Sequence, residues 1–418
     1  MKMRLGFFGL PILLFIVLLC PHCSVDKNDS SDDDDDTTTE ASPTPWPTDD
    51  DTVDDDTHDD DTWGETYHYP LGETSISYLS GTLAIAYDEK CDGYDDDYAI
   101  LDVEFKINGS EWQTQLWDYG YYLPSFFNEL AVYDDHTFLA VFDRYSETAL
   151  YLISDEDWIE LPCLESTDGP LAVARDGAGT IHIAHIRVPD YFNPVGYEQA
   201  EYSVQTETGW DTEVLIPVTS RYPKKPGDNG ISLALDSADR SHLALWSGGN
   251  ITYWLRTDGA WQNPEIVSFG ALARTFSVKL NSAEDPSVVY CNIDRELEIT
   301  RRGEDGWHSR LLPAACGNGR YGSVLDQDDV LHLAYVDGDG SIAYGSVSLN
   351  ETATWQTEIV DSNADYENMS FPFNVSLALD DSGFAHLTYH NRSQVLYATN
   401  QEGPFTIEIV YQGDSPDE

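Results

Sequence analysis

Residues 232–246 read SLALDSADRSHLALW, placing Asp236 and His242 six positions apart between two apolar runs. A carboxylate within reach of an imidazole can orient the ring and raise its basicity, which suits a general base or a metal ligand. The same spacing recurs at Asp176/His182, Asp326/His332 and Asp380/His386. Residues 276–290 keep the frame with Asn281 and Ser287 in those places. A single active site needs one such pair, so four copies describe a repeating unit. An aspartate ending a strand accepts hydrogen bonds from turn amides, and a histidine opening the next strand can bond back to it. The pairs are therefore expected to build hairpins, and any site should lie where the units differ.

Two stretches differ from the compact norm, 88–100 (DEKCDGYDDDYAI) and 187–201 (RVPDYFNPVGYEQAE). The first gathers Asp92, Asp95, Asp96 and Asp97 around Gly93, and DGDGS places Asp337 and Asp339 on an equivalent loop. Hard oxygen ligands at i and i+2 about a glycine suit calcium, so Asp92, Asp95, Asp97, Asp337 and Asp339 are the candidate metal ligands; no other cofactor is expected. Beyond the N-terminal region four cysteines remain, Cys91, Cys163, Cys291 and Cys316, without CxxC spacing. In an exported chain that number favours disulfides, which four cysteines can form in three ways. Their places in the repeat favour Cys91–Cys163 and Cys291–Cys316. A sialidase would need an arginine cluster for its substrate carboxylate. The arginines Arg144, Arg187, Arg256, Arg274, Arg301, Arg302 and Arg320 form no such motif. Paired carboxylates for glycoside hydrolysis carry no specificity in a chain this acidic.

The elements that hold these residues repeat seven times. Trp112, Trp158, Trp210, Trp261, Trp307, Trp355 and Phe405 each open an aromatic–polar–apolar run such as WQTEIV, at spacings of 46, 52, 51, 46, 48 and 50 residues. Within a unit, SLALD, SHLALW, ITYWLR and WQNPEIV read as four short strands divided by SADR, SGGN and TDGA turns. Seven such units indicate an all-β chain, a seven-bladed β-propeller of four-stranded antiparallel blades. The blades are expected at about 74–118, 125–163, 168–218, 229–268, 275–314, 320–361 and 373–412. Blade 7 holds its own fourth strand in FTIEIVYQG, and ETYHY at 65–69 is a candidate cap for the joint. The aromatics are expected to pack between blades, although tryptophan stacking on sugar rings would use the same residues.

The frame SLALDxxGxxHLxY…LxYA…GxWxxEIV resembles repeats of bacterial surface-lipoprotein propellers, loosely similar to the BNR/Asp-box and NHL classes, over residues 74–412. An intact SxDxGxxW box is present in no blade; Asp381-Ser382-Gly383 is the nearest turn. The resemblance implies the propeller fold and surface display, and no activity.

The N-terminus carries Lys2 and Arg4, then an apolar run from Leu5 to Leu19, short for a bilayer span and suited to a signal peptide. It ends at Cys20, so residues 1–20 resemble a lipoprotein signal with acylation at Cys20. Leu19 departs from the small residue that signal prefers, and ordinary secretion or a retained anchor are the alternatives. All three export the chain. Residues 21–65, rich in Asp, Thr and Pro, read as a disordered linker extended by self-repulsion. The full chain has 21 basic and 76 acidic residues, net −55. Residues 66–418 alone hold 58 acidic and 18 basic. That field repels nucleic acid and anionic lipid, leaving a lipid anchor as the membrane connection. The expectation is a monomeric, non-catalytic binding propeller at the outer membrane or cell surface. Its partner would be a protein or a glycan, and the alternative is an extracellular glycan-active hydrolase.

Overall fold

The structure, a computed structural model, describes residues 67–413 except 93–96, 108, 122–127, 135–136, 145–146, 155–157, 166–169, 188–197, 219–229, 317–320, 350–353, 363–374 and 392. The signal segment with Cys20, the linker 21–65 and Asp95 lie outside the described residues, as do the side chains of Cys91, Asp92 and Asp97.

Seven antiparallel sheets follow one another along the chain, each a meander in which sequential strands pair. They cover residues 67–121, 128–165, 171–218, 230–269, 271–315, 322–361 and 375–412, blades 1 to 7. The first strands pack side by side in a closed ring, Tyr67–Leu79 of blade 1 touching both Asn128–Asp134 of blade 2 and Val375–Leu379 of blade 7. This is the expected all-β, seven-bladed propeller. In blades 2 and 4 the fourth strand comes in two pieces, broken near Pro162 and Pro264, residues with no N–H to give the ladder.

The core is a set of seams between neighbouring blades. Second strands are buried on both faces; Ile181–Arg187 and Ala385–His390 expose almost nothing. Seam clusters mix residues of two blades, as where Tyr202, Ile231 and Leu243 meet between blades 3 and 4. Sheets that present both faces to neighbours read as near-continuous apolar runs, which is the pattern of SHLALW and AHLTY.

Among the described residues closure uses no exchanged strand. Blade 7 has its own fourth strand, Thr406–Gln412, as expected. Of the segment considered as a cap, Tyr67–Tyr69 belong to the innermost strand of blade 1, Tyr67–Leu79, and residues 65 and 66 lie outside the described residues. The 88–100 insertion is likewise a lengthened hairpin, strands Thr82–Asp92 and Asp97–Ile107 pairing up to Asp92 opposite Asp97. Cys291 and Cys316 form a disulfide within blade 5, with Cα atoms 6.2 Å apart. Cys163 is also disulfide-bonded.

Candidate functional site: hairpin networks and blade seams

Each Asp-x5-His unit is a hairpin whose turn is built by the aspartate. Asp236 Oδ1 accepts the amides of Ala238 at 3.0 Å and Arg240 at 2.8 Å. Asp176, Asp326 and Asp380 make the same two bonds, and Asn281 does so with its amide oxygen. The turn needs one left-handed residue, Gly179 and Gly383 in two blades but Asp239, Glu284 and Asp329 in three. Those acids hook the preceding turn. Asp239 accepts from the Gly177 amide, Glu284 from Ser237 and Asp329 from Ser282. The strain of a side chain at positive φ is thereby offset by a bond between blades.

The other aspartate oxygen meets the histidine. Oδ2 lies 3.3, 3.2 and 3.0 Å from Nε2 of His182, His242 and His332. In blade 7 the separation is 3.5 Å, and Gln401 donates to Asp380 Oδ2 instead. Each histidine Nδ1 faces a tyrosine hydroxyl on the third strand, Tyr202, Tyr253, Tyr344 and Tyr397, at 2.5–2.7 Å. Every one of these tyrosines sits two residues before its histidine's cross-strand partner, so both point to the same face. Because a carboxylate only accepts, the ring carries its proton on Nε2 and the tyrosine donates to Nδ1. Burial lowers the basicity of His182, His242 and His386, with Asp opposing it. Burial alone would raise the Asp236 carboxyl; the Arg240 amide, His242 and the Arg240 side chain together hold it below the ordinary range. Burial pushes Tyr344 up to about 12. His182, His242, His332 and His386 are all buried, so this chain of Asp, His and Tyr is closed to substrate and serves the fold.

The tyrosines continue the chain into the next blade. Trp261 packs edge-on against Tyr202, Trp307 against Tyr253 and Trp112 against Tyr397, with Phe405 tilted against Tyr344, all at 5.1–5.3 Å between centroids. Blade 5 has neither the histidine nor the tyrosine. There Trp355 of blade 6 turns to Tyr335 of its own blade and lies over Gly345. Trp112, Trp261, Trp307 and Phe405 are thus seam anchors, as expected, while the Trp158 side chain lies outside the described residues.

At three of these seams a carboxylate and a base join the aromatic, a constellation that sequence reading missed. Glu265, on the fourth strand of blade 4, receives two bonds from Arg302 (3.1 and 2.6 Å) and one from the Trp307 indole N–H (2.9 Å), both of blade 5. Glu213 of blade 3 receives Arg256 at 3.0 Å and Trp261 at 2.7 Å from blade 4. Glu408 of blade 7 pairs with Lys106 of blade 1 at 2.5 Å, and Lys106 lies 5.2 Å from the Trp112 ring centroid. The Arg302 and Glu265 side chains are 40% and 37% exposed, so this group faces solvent, unlike the histidine chain. The signal was available as an arginine five residues before the landmark tryptophan, in RTDGAW and RGEDGW.

The remaining candidates are dispersed. Asp337 Oδ1 accepts the amides of Asp339 and Ser341, a turn bond like those above. Among the described residues no group of three metal-type ligands converges. At the root of the 187–201 segment, His185 and Glu201 form a buried pair at 3.1 Å, with Arg187 3.8 Å from the carboxylate.

No family model matches the chain, and no curated protein matches it. Among solved structures, AofleA from Arthrobotrys oligospora is 10% identical, the match covering 68% of this chain and 86% of that one at a TM-score of 0.49. The six-bladed, fucose-recognising lectin of Aleuria aurantia is 10% identical, covering 72% and 97% at 0.46. A prolyl endopeptidase is 12% identical, covering 84% of this chain and 50% of its own at 0.47. Likeness this low, shared by a lectin and a peptidase, says nothing of this chain's activity.

Proposed function

We propose that this chain is a non-catalytic propeller that binds glycans at its blade seams, exported and held at the cell surface by a lipid on Cys20. The observation that carries the reading is the half-exposed Glu265–Arg302–Trp307 group and its counterpart Glu213–Arg256–Trp261. A saccharide offers adjacent hydroxyls that both donate and accept, together with an apolar C–H face. A guanidinium, a carboxylate and an indole supply the matching donors, acceptors and surface. Repetition at neighbouring seams suits a multivalent ligand, for which weak single sites combine into useful avidity.

A glycan array probed with the purified protein tests this, with fucosides among the probes because the matched lectins recognise them. Binding to at least one glycan, lost in an Arg256→Ala/Arg302→Ala double variant, is expected. An empty array, or binding unchanged in the double variant, contradicts the reading. For the anchor, incorporation of a labelled fatty acid that Cys20→Ala abolishes is expected, and label retained in that variant contradicts it.

A further inference from the structure

Blade 5 breaks the repeat on the face it turns to blade 6. Val289 and Ile299 of that face pack with Leu331 and Leu333 of blade 6, and the Ser277 and Ser323 hydroxyls bond across the same seam. In blade 4 the matching face carries Ala234, His242, Leu255, Tyr253 and Glu265 in cross-strand register, with Asp236 in the turn. Blades 3, 6 and 7 keep the acid opposite the tyrosine, as Glu213, Glu358 and Glu408. In blade 5 the same places hold Lys279, Ser287, Arg301, Ile299 and Arg310, with Asn281 in the turn. Both acids are replaced, and three bases stand on one face of a chain that has 76 acidic residues and 21 basic ones.

Sheet register brings three of these residues together. Lys279 stands directly opposite Ser287, and Ser287 directly opposite Arg301, on three adjacent strands. Direct cross-strand partners share a face with their Cβ atoms about 5 Å apart, so the lysine and the arginine flank the serine on either side.

What these groups lack is an acceptor. Ser287 is 1% exposed, and its hydroxyl has no partner among the described residues. Lys279, half-buried, makes no hydrogen bond or ion pair among the described residues, and burial lowers the basicity of its amine. Arg301 donates to the Leu349 carbonyl and meets no carboxylate among the described residues. The turn adds a further donor. Asn281 Oδ1 accepts the Ala283 and Asp285 amides, so its Nδ2 takes the place from which an aspartate Oδ2 meets the histidine elsewhere. Of the acids beside this turn, Asp329 gives both oxygens to Ser282, at its amide and hydroxyl, and Asp285 is exposed.

We infer that the seam between blades 5 and 6 binds one small oxyanion, held by Lys279, Ser287 and Arg301 where four other blades carry their histidine. A buried hydroxyl without a partner and an enclosed base without a counter-ion are each costly, and an oxyanion with several acceptor oxygens relieves both. A cation would meet only like charge there, and a neutral ligand would leave the bases without a counter-ion. The enclosure of Ser287 limits the ligand to the size of a carboxylate, sulfate or phosphate group. The site needs no glycan and shares no residue with the acid–arginine–tryptophan seams.

Calorimetric titration of the full-length protein with inorganic phosphate, sulfate and acetate, at constant ionic strength, tests the inference. One-to-one, saturable binding of at least one of them at millimolar concentration is expected. Lys279→Ala and Arg301→Leu restore the residues that blade 4 carries at those places, and each should weaken binding about tenfold or more, a loss of about 1.4 kcal/mol. Arg240→Ala, which removes a base already paired with Asp236, should leave binding unchanged. Reductive methylation of the unaltered protein, mapped by mass spectrometry, gives a second readout: the bound anion should slow labelling of Lys279 and of no other lysine. Absence of saturable binding by all three anions overturns the inference. So does binding that both seam variants retain, or labelling of Lys279 that the anion leaves unchanged. The labelling uses the unaltered protein, so it decides the matter even if a variant fails to fold.

Discussion

At Asp236 a single carboxylate accepts four hydrogen bonds, from the amides of Ala238 and Arg240, the Arg240 side chain and His242. Removing His242 would leave Oδ2 short of a donor and the buried Tyr253 hydroxyl without an acceptor. His242→Ala should therefore lower stability by about 2–3 kcal/mol. Arg240, 39% exposed, should cost under about 1 kcal/mol as alanine; urea unfolding of the two variants checks the contrast. The pH dependence follows from the same groups. His182, His242 and His386 titrate lower in the folded chain than their ordinary 6.5, so the unfolded state binds protons first and stability falls as pH drops below 6.5. Asp176, Asp236, Asp326 and Asp380 are also lowered, and their contribution is lost at still lower pH, below the ordinary 3.8. Glu104, raised by burial, opposes this over its own range. The urea midpoint should decline from pH 7 to pH 5, and a midpoint that rises would contradict the account. The Asp–His part of the network was legible because a tight turn sets its spacing. The tyrosine was not, because its distance from the histidine varies from 11 to 20 residues with the length of the second hairpin.

The fourth strand shows the same division between what a sequence displays and what pairing decides. Its repeated Glu-Ile-Val run was visible as a landmark, but which aliphatic turns inward depends on a bulge shared by the blades. In blade 4 Thr252 pairs with Ile266 and Ile251 with Ser268, so Val267 is the extra residue. Blades 6 and 7 place Val360 and Val410 in the same position. Val267 is 8% exposed while Ile266 is 52% exposed. Ile266→Thr should therefore change stability by less than about 0.5 kcal/mol, whereas Val267→Ala should cost about 1–2 kcal/mol, as thermal unfolding would show. Gly345 makes a sharper test of the exceptional seam. A Cβ there would overlap the Trp355 ring, the nearest ring atoms lying well inside contact distance. Gly345→Ala should cost more than about 2 kcal/mol by denaturant unfolding, and a neutral effect would mean that Trp355 packs elsewhere.

At the scale of the molecule, period and strand signals made the propeller legible, because seven equivalent units can bury their faces only against one another. Which blades carry the seam groups was less legible, since the acid and its arginine lie 37 and 43 residues apart on different blades, and Glu408 and Lys106 lie 302 apart. Among the described residues the ring closes without strand exchange. Blade 7 is joined to blade 1 by the Ile76–Ser376 bond, the Tyr78–His386 stack and the Lys106–Glu408 pair. Within blade 5 the Cys291–Cys316 bond closes a 25-residue separation, and Cys291→Ser/Cys316→Ser should cost about 3 kcal/mol in a denaturant titration. On the proposed reading the histidine hairpins serve the fold and the acid–arginine–tryptophan seams bind the glycan. Calorimetric stoichiometry for a glycan identified on the array tests it most directly, comparing the unaltered protein with Arg302→Ala and with His242→Ala, each scaled to its folded fraction. Arg302→Ala should show one site fewer and His242→Ala an unchanged number; a site lost in His242→Ala and kept in Arg302→Ala would overturn that reading.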